Sequence, residues 1–222
     1  MKTYMYLILF LCLFGFQSCF EIIETVFLNT DGSGNFQLVL NLSKSRTKLN
    51  SISKMKTVNG HDVPSKEEIK SKFADIEKTI AKTPGISNVK TTVDFTNYIA
   101  SISCTFTQVN RMNDVVKNVY AKENGKAKAP EKIYDYTPAS KTFNRLNLFS
   151  FKNEYTKLSN ADKEIFATAN YTAIFKFQST VTATSNKETK TAPSKKATML
   201  KLNALDIATE KKSIGNKITL TN

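Results

Sequence analysis

Three stretches of this chain alternate apolar and polar residues with a period of two, and that alternation limits the fold more than any other feature. Phe36, Leu38, Leu40 and Leu42 alternate with Asn35, Gln37, Val39 and Asn41. Tyr98, Ala100, Ile102, Cys104 and Phe106 alternate with Ile99, Ser101, Ser103, Thr105 and Thr107. Tyr171, Ala173, Phe175, Phe177, Ser179 and Val181 mark one long strand further on. Successive side chains of a strand point to opposite faces, so each run reads as a strand with one buried face and one wet face.

The segments between these strands complete a pattern of hairpins and helices. Residues 21–28 are β-branched and apolar, and the cluster Asn29-Thr30-Asp31-Gly32-Ser33-Gly34 supplies residues that accept a turn, so 21–42 reads as a hairpin. Residues 43–64 are polar and lysine-rich, an irregular excursion with one helical turn. Ser65 and Glu68 have capping-box spacing after Pro64, and Ile69, Phe73, Ile76 and Ile80 form an apolar stripe of helical period, stopped by Thr83-Pro84-Gly85. Residues 86–95 and 98–107 form a second hairpin turning at Thr96-Asn97, and Asn110 caps a helix running to about Ala121. Residues 122–130 read as a mobile loop, 142–152 as a strand, and Ser159 or Asn160 as the cap of a short helix to about Ala169. Residues 187–196 form a polar hairpin loop, with short closing strands at 197–202 and 218–220. The expected fold class is α+β: antiparallel sheets built from β-hairpins, with two or three helices packed on one face.

Few residues in this pattern carry chemistry. Asp31-Gly32-Ser33-Gly34 lacks the further acidic ligands of a calcium loop and the Lys-Ser/Thr of a phosphate loop, so it reads as a turn. His61 is the only histidine; Asp62 alone stands near it, and it reads as a loop residue and not as a metal ligand. Cys104 falls at an inward strand position and reads as a buried structural thiol. Glu21, Glu24, Asp31 and Asp94 are carboxylates whose meeting in space the sequence leaves open, and no nucleophile stands beside an evident base. The chain is therefore expected not to be an enzyme, with no catalytic residue, no metal and no cofactor.

The N-terminus is more informative. Lys2 is the only charge before Cys19, and residues 4–16 are apolar apart from Gly15. That run is shorter than the about 20 residues of a spanning helix and fits the about 7–15 of a signal peptide's core. Phe16 three residues before Cys19, with Ser18 immediately before it, resembles the lipobox of bacterial lipoproteins. The resemblance implies that residues 1–18 are a lipoprotein signal peptide and that Cys19 is joined to a diacylglyceryl group. An ordinary cleaved signal and an uncleaved anchor are the other readings of the same run. Residues 19–222 are expected to form a single α+β lipoprotein domain, with 130–222 as a candidate elaboration.

Composition bears on partners. The formal charge is +13, carried almost wholly by lysine spread along the chain, with only Arg46, Arg111 and Arg145 as arginines. Nucleic-acid readers lean on arginine forks and clustered basic faces, so no nucleic-acid partner is expected. A cationic surface beside a membrane suits anionic lipid, while plain solubility accounts for the same lysines. Fifteen Phe and eight Tyr with no Trp supply aromatic walls for an apolar groove under the helices, or equally an ordinary core.

The lipobox, the Asp31–Gly34 turn and the capped helix ending before Gly85-Ile86-Ser87-Asn88-Val89 together resemble a group of uncharacterised Bacteroidetes lipoproteins. The strand YTAIFKFQSTVTATS, residues 171–185, with its loop and short closing strand, is similar to the end of the mycobacterial LppM-type lipoprotein domain. Such domains commonly carry proline after the phenylalanine of that strand, where this chain has Gln178 after Phe177. The resemblance implies a cell-envelope protein held to a membrane by acylated Cys19, binding lipid or another apolar ligand. The alternative is a structural or interaction subunit of an envelope complex, with a protein partner. Strand-like sequence begins at once after Cys19, and no acidic run follows it, which favours the periplasmic side of the outer membrane.

Overall fold

The computed structural model describes residues 20–124, 132–147 and 150–221. The expected signal segment 1–18, Cys19 and most of the expected loop 122–130 lie outside the described residues.

In chain order the fold begins with a hairpin of β1 (Glu21–Leu28) and β2 (Gly34–Asn41), then a 3₁₀ turn, the short helix α1 (Arg46–Ile52) and a two-stranded ribbon of β3 (Thr57–Val58) and β4 (His61–Asp62). Helix α2 (Lys66–Ala81) leads into the second hairpin, β5 (Ile86–Asp94) and β6 (Ile99–Phe106), followed by α3 (Arg111–Asn124). Two short strands, β7 (Tyr134–Asp135) and β8 (Thr142–Arg145), precede helices α4 (Lys152–Lys157) and α5 (Asn160–Thr168). The chain closes with β9 (Asn170–Phe177), β10 (Thr180–Thr184), β11 (Lys190–Thr191), β12 (Ala197–Asn203), α6 (Ala204–Ala208) and β13 (Asn216–Thr221).

The strands form a seven-stranded sheet of order β11-β12-β9-β1-β2-β6-β5 and a four-stranded sheet of order β10-β13-β8-β7, besides the small ribbon. The architecture is mixed α/β with mainly antiparallel pairing and, among the described residues, six α-helices, richer in sheet than hairpins topped by two or three helices. One pairing departs from the hairpin expectation altogether: β1 and β9 run parallel at the centre of the large sheet, Ile22 beside Tyr171 and Val26 beside Phe175. A parallel neighbour needs a long crossover, and here everything from β2 to α5 supplies it.

The long strand expected over 171–181 is in fact two. The backbone pairs in the large sheet as far as Phe177, then crosses at Gln178 and Ser179, and β10 pairs with β13 in the small sheet. Gln178 braces the crossing: its N–H donates to the Leu28 carbonyl (3.0 Å), and its Oε1 accepts from the Thr30 N–H (3.1 Å) and hydroxyl (3.2 Å). A proline there would lack the N–H and the side-chain amide. The alternation continues in phase through the crossing, which is why the pattern alone reads as one strand.

The strand expected over 142–152 likewise stops at Arg145, where β13 and β7 run out as partners, and α4 starts at Lys152. Two helix caps form as expected. The Ser65 hydroxyl accepts from the Glu68 N–H (3.1 Å) while the Glu68 carboxylate accepts from the Ser65 N–H (2.7 Å), closing the capping box of α2. Ser159 caps α5 by accepting from the Asp162 N–H. The Asn110 Oδ1, just before α3, accepts from the Tyr136 N–H (3.0 Å) and ties β7's exit to the helix start.

The two sheets face each other over part of the core. Phe143 of β8, fully buried, packs edge-on against Phe175 and Phe177 of β9 with ring centroids 5.0 and 5.7 Å apart. Val26, Leu28, Leu200 and Ile218 complete that zone with at most 1 % exposure. Burying side chains of this size contributes about 1.5–3 kcal/mol each. Phe106, Val109 and Met112, at most 2 % exposed, extend the core to the β6–α3 corner.

Candidate functional site

Helices α2 and α3 on one side, and α4 to α6 on the other, leave a groove of about 750 Å³ over the inner face of the large sheet. Ile22, Glu24, Phe36, Leu38 and Ile102 of β1, β2 and β6 form the floor. One wall comes from Ile76 and Ile80 of α2 with Met112, Val115, Val116 and Val119 of α3. The other comes from Tyr155 and Leu158, Phe166 of α5, and Ala204, Ile207 and Ala208 of α6. Among the described residues, Glu24, Arg145 and Glu154 are the only charged ones lining it; the other side chains are hydrocarbon, Met or aromatic.

The helix stripes explain why the space stays open. On α2, Ile80 is buried, but Ile69, Phe73 and Ile76 are only partly covered. On α3, Met112 and Val115 are buried, while Val116, Val119 and Tyr120 are half-covered. Each helix thus docks at the end near the α2–β5 and β6–α3 corners, where Thr83 receives a hydrogen bond from the Asn118 amide (3.1 Å). Of the partly covered positions, Ile76 on α2 and Val116, Val119 and Tyr120 on α3 line the groove. Phe151, 50 % exposed, and the exposed Glu154 mark the rim, and Phe20, the first described residue, also lines the groove. Phe166 stacks edge-on with Phe20 (6.4 Å) and with Tyr155 (5.5 Å), joining the chain's start to α4 and α5.

A polar cluster sits in this apolar lining. Arg145 donates through Nε to Glu24 Oε1 (2.9 Å) and through Nη2 to Glu24 Oε2 (3.1 Å), a bidentate pair, and through Nη1 to the Leu146 carbonyl (2.6 Å). The Tyr171 hydroxyl donates to Glu24 Oε2 at 2.8 Å, and the guanidinium lies 5.2 Å from the Tyr134 ring centroid. The side chains of Arg145 and Glu24 are 10 % and 5 % exposed. Burial, reinforced by the Glu24 carboxylate, pushes the phenols of Tyr134 and Tyr171 well above their ordinary range. Burial works against the charge on Arg145, but Glu24, Tyr171 and Tyr134 together outweigh it and hold the guanidinium's pKa above its ordinary value.

The other residues singled out from sequence lie apart from the groove. Glu21 pairs with Lys201 (3.2 Å) and Thr172 (2.8 Å), whose bonds outweigh burial and lower its pKa. Asp31 and Asp94 fold back onto their own turns, accepting from Ser33 and from Thr96 and Asn97, so the four carboxylates do not converge. Cys104 is buried beneath the sheet with its thiol 3.7 Å from Met112 Sδ, and burial raises it to about 11. His61 meets Asp162 of α5, 3.4 Å away and 101 positions on, and not its sequence neighbour Asp62. Among the described residues no three His, Cys, Asp or Glu gather closely enough to hold a metal, and no helix is long and apolar enough to cross a membrane. Sequence reasoning named Glu24 without its partners Arg145 and Tyr171, which come from strands more than a hundred positions away. A charged residue at an inward position of β1 was the one available signal, since such a residue demands a partner.

The chain matches no known protein family and no curated protein. Among solved structures it has a distant similarity to the folded domain of the LppM protein of Mycobacterium tuberculosis, determined by NMR. That similarity covers 93 % of this chain and 92 % of the other, at 10 % sequence identity and a TM-score of 0.43.

Proposed function

We propose that this chain is a cell-envelope lipoprotein, anchored to a membrane through acylated Cys19, whose groove holds the hydrocarbon part of a lipid. The observation that carries this reading is the groove itself. Its volume lies within the about 300–1,000 Å³ usual for ligand sites, and its lining is apolar except for a few convergent polar groups. Two helices hold apolar stripes over open space where closer packing would bury them, and unfilled apolar walls forgo the dispersion contacts a filled core gains. A lipid tail restores those contacts. Acyl anchoring through two chains keeps a protein durably at a bilayer, where such tails are abundant, and the lysine-rich surface suits anionic head groups.

The alternative role, as an interaction subunit of an envelope complex, draws on the edge of β5, which among the described residues pairs with β6 alone and whose Thr91 N–H already donates to Glu77 (2.9 Å). That edge is interrupted between Ser87 and Lys90, where the register shifts. Such bulges, and lysine on an edge, discourage strand addition, so the groove is the better supported reading.

The test is chemical. Chain beginning at Phe20, purified without detergent and extracted with organic solvent, should release lipid in near-equal molar amount. A lipid-free preparation that also ignores anionic vesicles contradicts the proposal.

A further inference from the structure

We infer that the groove selects an uncharged, hydrogen-bond-accepting lipid terminus, an ester, amide or hydroxyl, and that Arg145 is the group that recognises it; this rests on the proposed lipid-holding role. Glu24 already accepts from Arg145 Nε, Arg145 Nη2 and Tyr171 Oη at 2.8–3.1 Å. A guanidinium carries five N–H groups, and Glu24 takes two of Arg145's and the Leu146 carbonyl one. Even with the Tyr171 hydroxyl also drawn to the guanidinium, an N–H donor remains, on a side chain that lines the groove.

Charge then narrows the ligand. The Glu24–Arg145 pair is formally neutral, and its side chains are at least nine-tenths buried. An anionic terminus brings a second carboxylate against Glu24, and like charges in a buried site oppose each other's ionisation. A cationic terminus meets the like charge of Arg145. A bare hydrocarbon leaves Arg145's remaining donor without a partner among apolar walls, which is costly. A neutral acceptor avoids all three penalties and places the tail along the Ile, Val and Phe walls. The geometry also gives the buried pair a role beyond stability, for which buried ion pairs are weak devices.

The test uses the full chain in phosphatidylcholine vesicles, with photoreactive C16 probes that share one diazirine tail and end as methyl ester, alcohol, carboxylate, amine or plain alkane. Labelled peptides are mapped by mass spectrometry. The ester and alcohol are expected to label groove-wall peptides about tenfold more than the alkane, amine or carboxylate, the worth of one charge-assisted hydrogen bond. In the double variant Glu24→Leu/Arg145→Met, with folding checked by thermal melting, the ester-to-alkane ratio should fall to about one. Equal labelling by all five probes, or preference for the carboxylate or amine, overturns the inference while the lipid-holding groove stands. Absence of groove labelling by every probe overturns the groove reading itself. Because the probe series on the unaltered chain decides the preference, the test does not depend on the double variant folding.

Discussion

Arg145, at the last position of β8, reaches across to Glu24 at the centre of the large sheet and grips both carboxylate oxygens, at 2.9 and 3.1 Å. The pair joins the two sheets where the core gives way to the groove. Removing one partner strands a buried charge, which costs about 3–5 kcal/mol, whereas replacing both with apolar residues of similar volume is often neutral or stabilising. Arg145→Met alone should therefore lower the melting temperature by about 6–20 °C for a domain of this size. The double variant Glu24→Leu/Arg145→Met should regain most of that loss. A double variant as unstable as the single one would show that the pair's bonds, and not its desolvation, dominate.

Thr198 offers a second test of polar burial. It is 2 % exposed on β12, and its hydroxyl has no hydrogen-bond partner among the described residues. An unpaired buried hydroxyl costs about 1–3 kcal/mol. Thr198→Val should raise the denaturation midpoint in urea with the slope unchanged. A loss of stability would mean that the hydroxyl is satisfied in solution.

Cys104 should behave as a silent thiol. Burial holds it at about 11, so at pH 8 only about one molecule in a thousand carries the reactive thiolate. Maleimide treatment followed by peptide mapping should leave Cys104 unmodified in the folded chain and modify it fully in guanidinium. Comparable rates in both conditions would place the thiol at the surface.

Local features of the fold were legible because their causes are local. Ser65 and Glu68 announce the start of α2 three residues apart, and Asn29 to Gly34 announce a turn within one hairpin. The β1–β9 pairing was not legible: it joins residues about 149 positions apart, and both strands look the same whichever neighbour they take. The break at Gln178 was hidden because a change of sheet keeps the two-residue period intact. The site shows the same division. The helix stripes of Ile76 and Val116 were visible as apolar faces, but a stripe that lines a groove and one that is buried in a core share one sequence pattern. Arg145 gave no sign of its partner because ion pairs between sheets carry no spacing rule.

The central claim is that the space between α2–α3 and α4–α6 holds a lipid tail, and filling that space tests it most directly. A fluorescent fatty-acyl probe can be titrated against the chain and against Val116→Trp, in which an indole projects from a half-covered position of the groove wall. The prediction is saturable binding at one probe per chain, weakened at least about tenfold by the added indole while the melting transition stays cooperative. Binding that never saturates, or that Val116→Trp leaves unchanged, would contradict it.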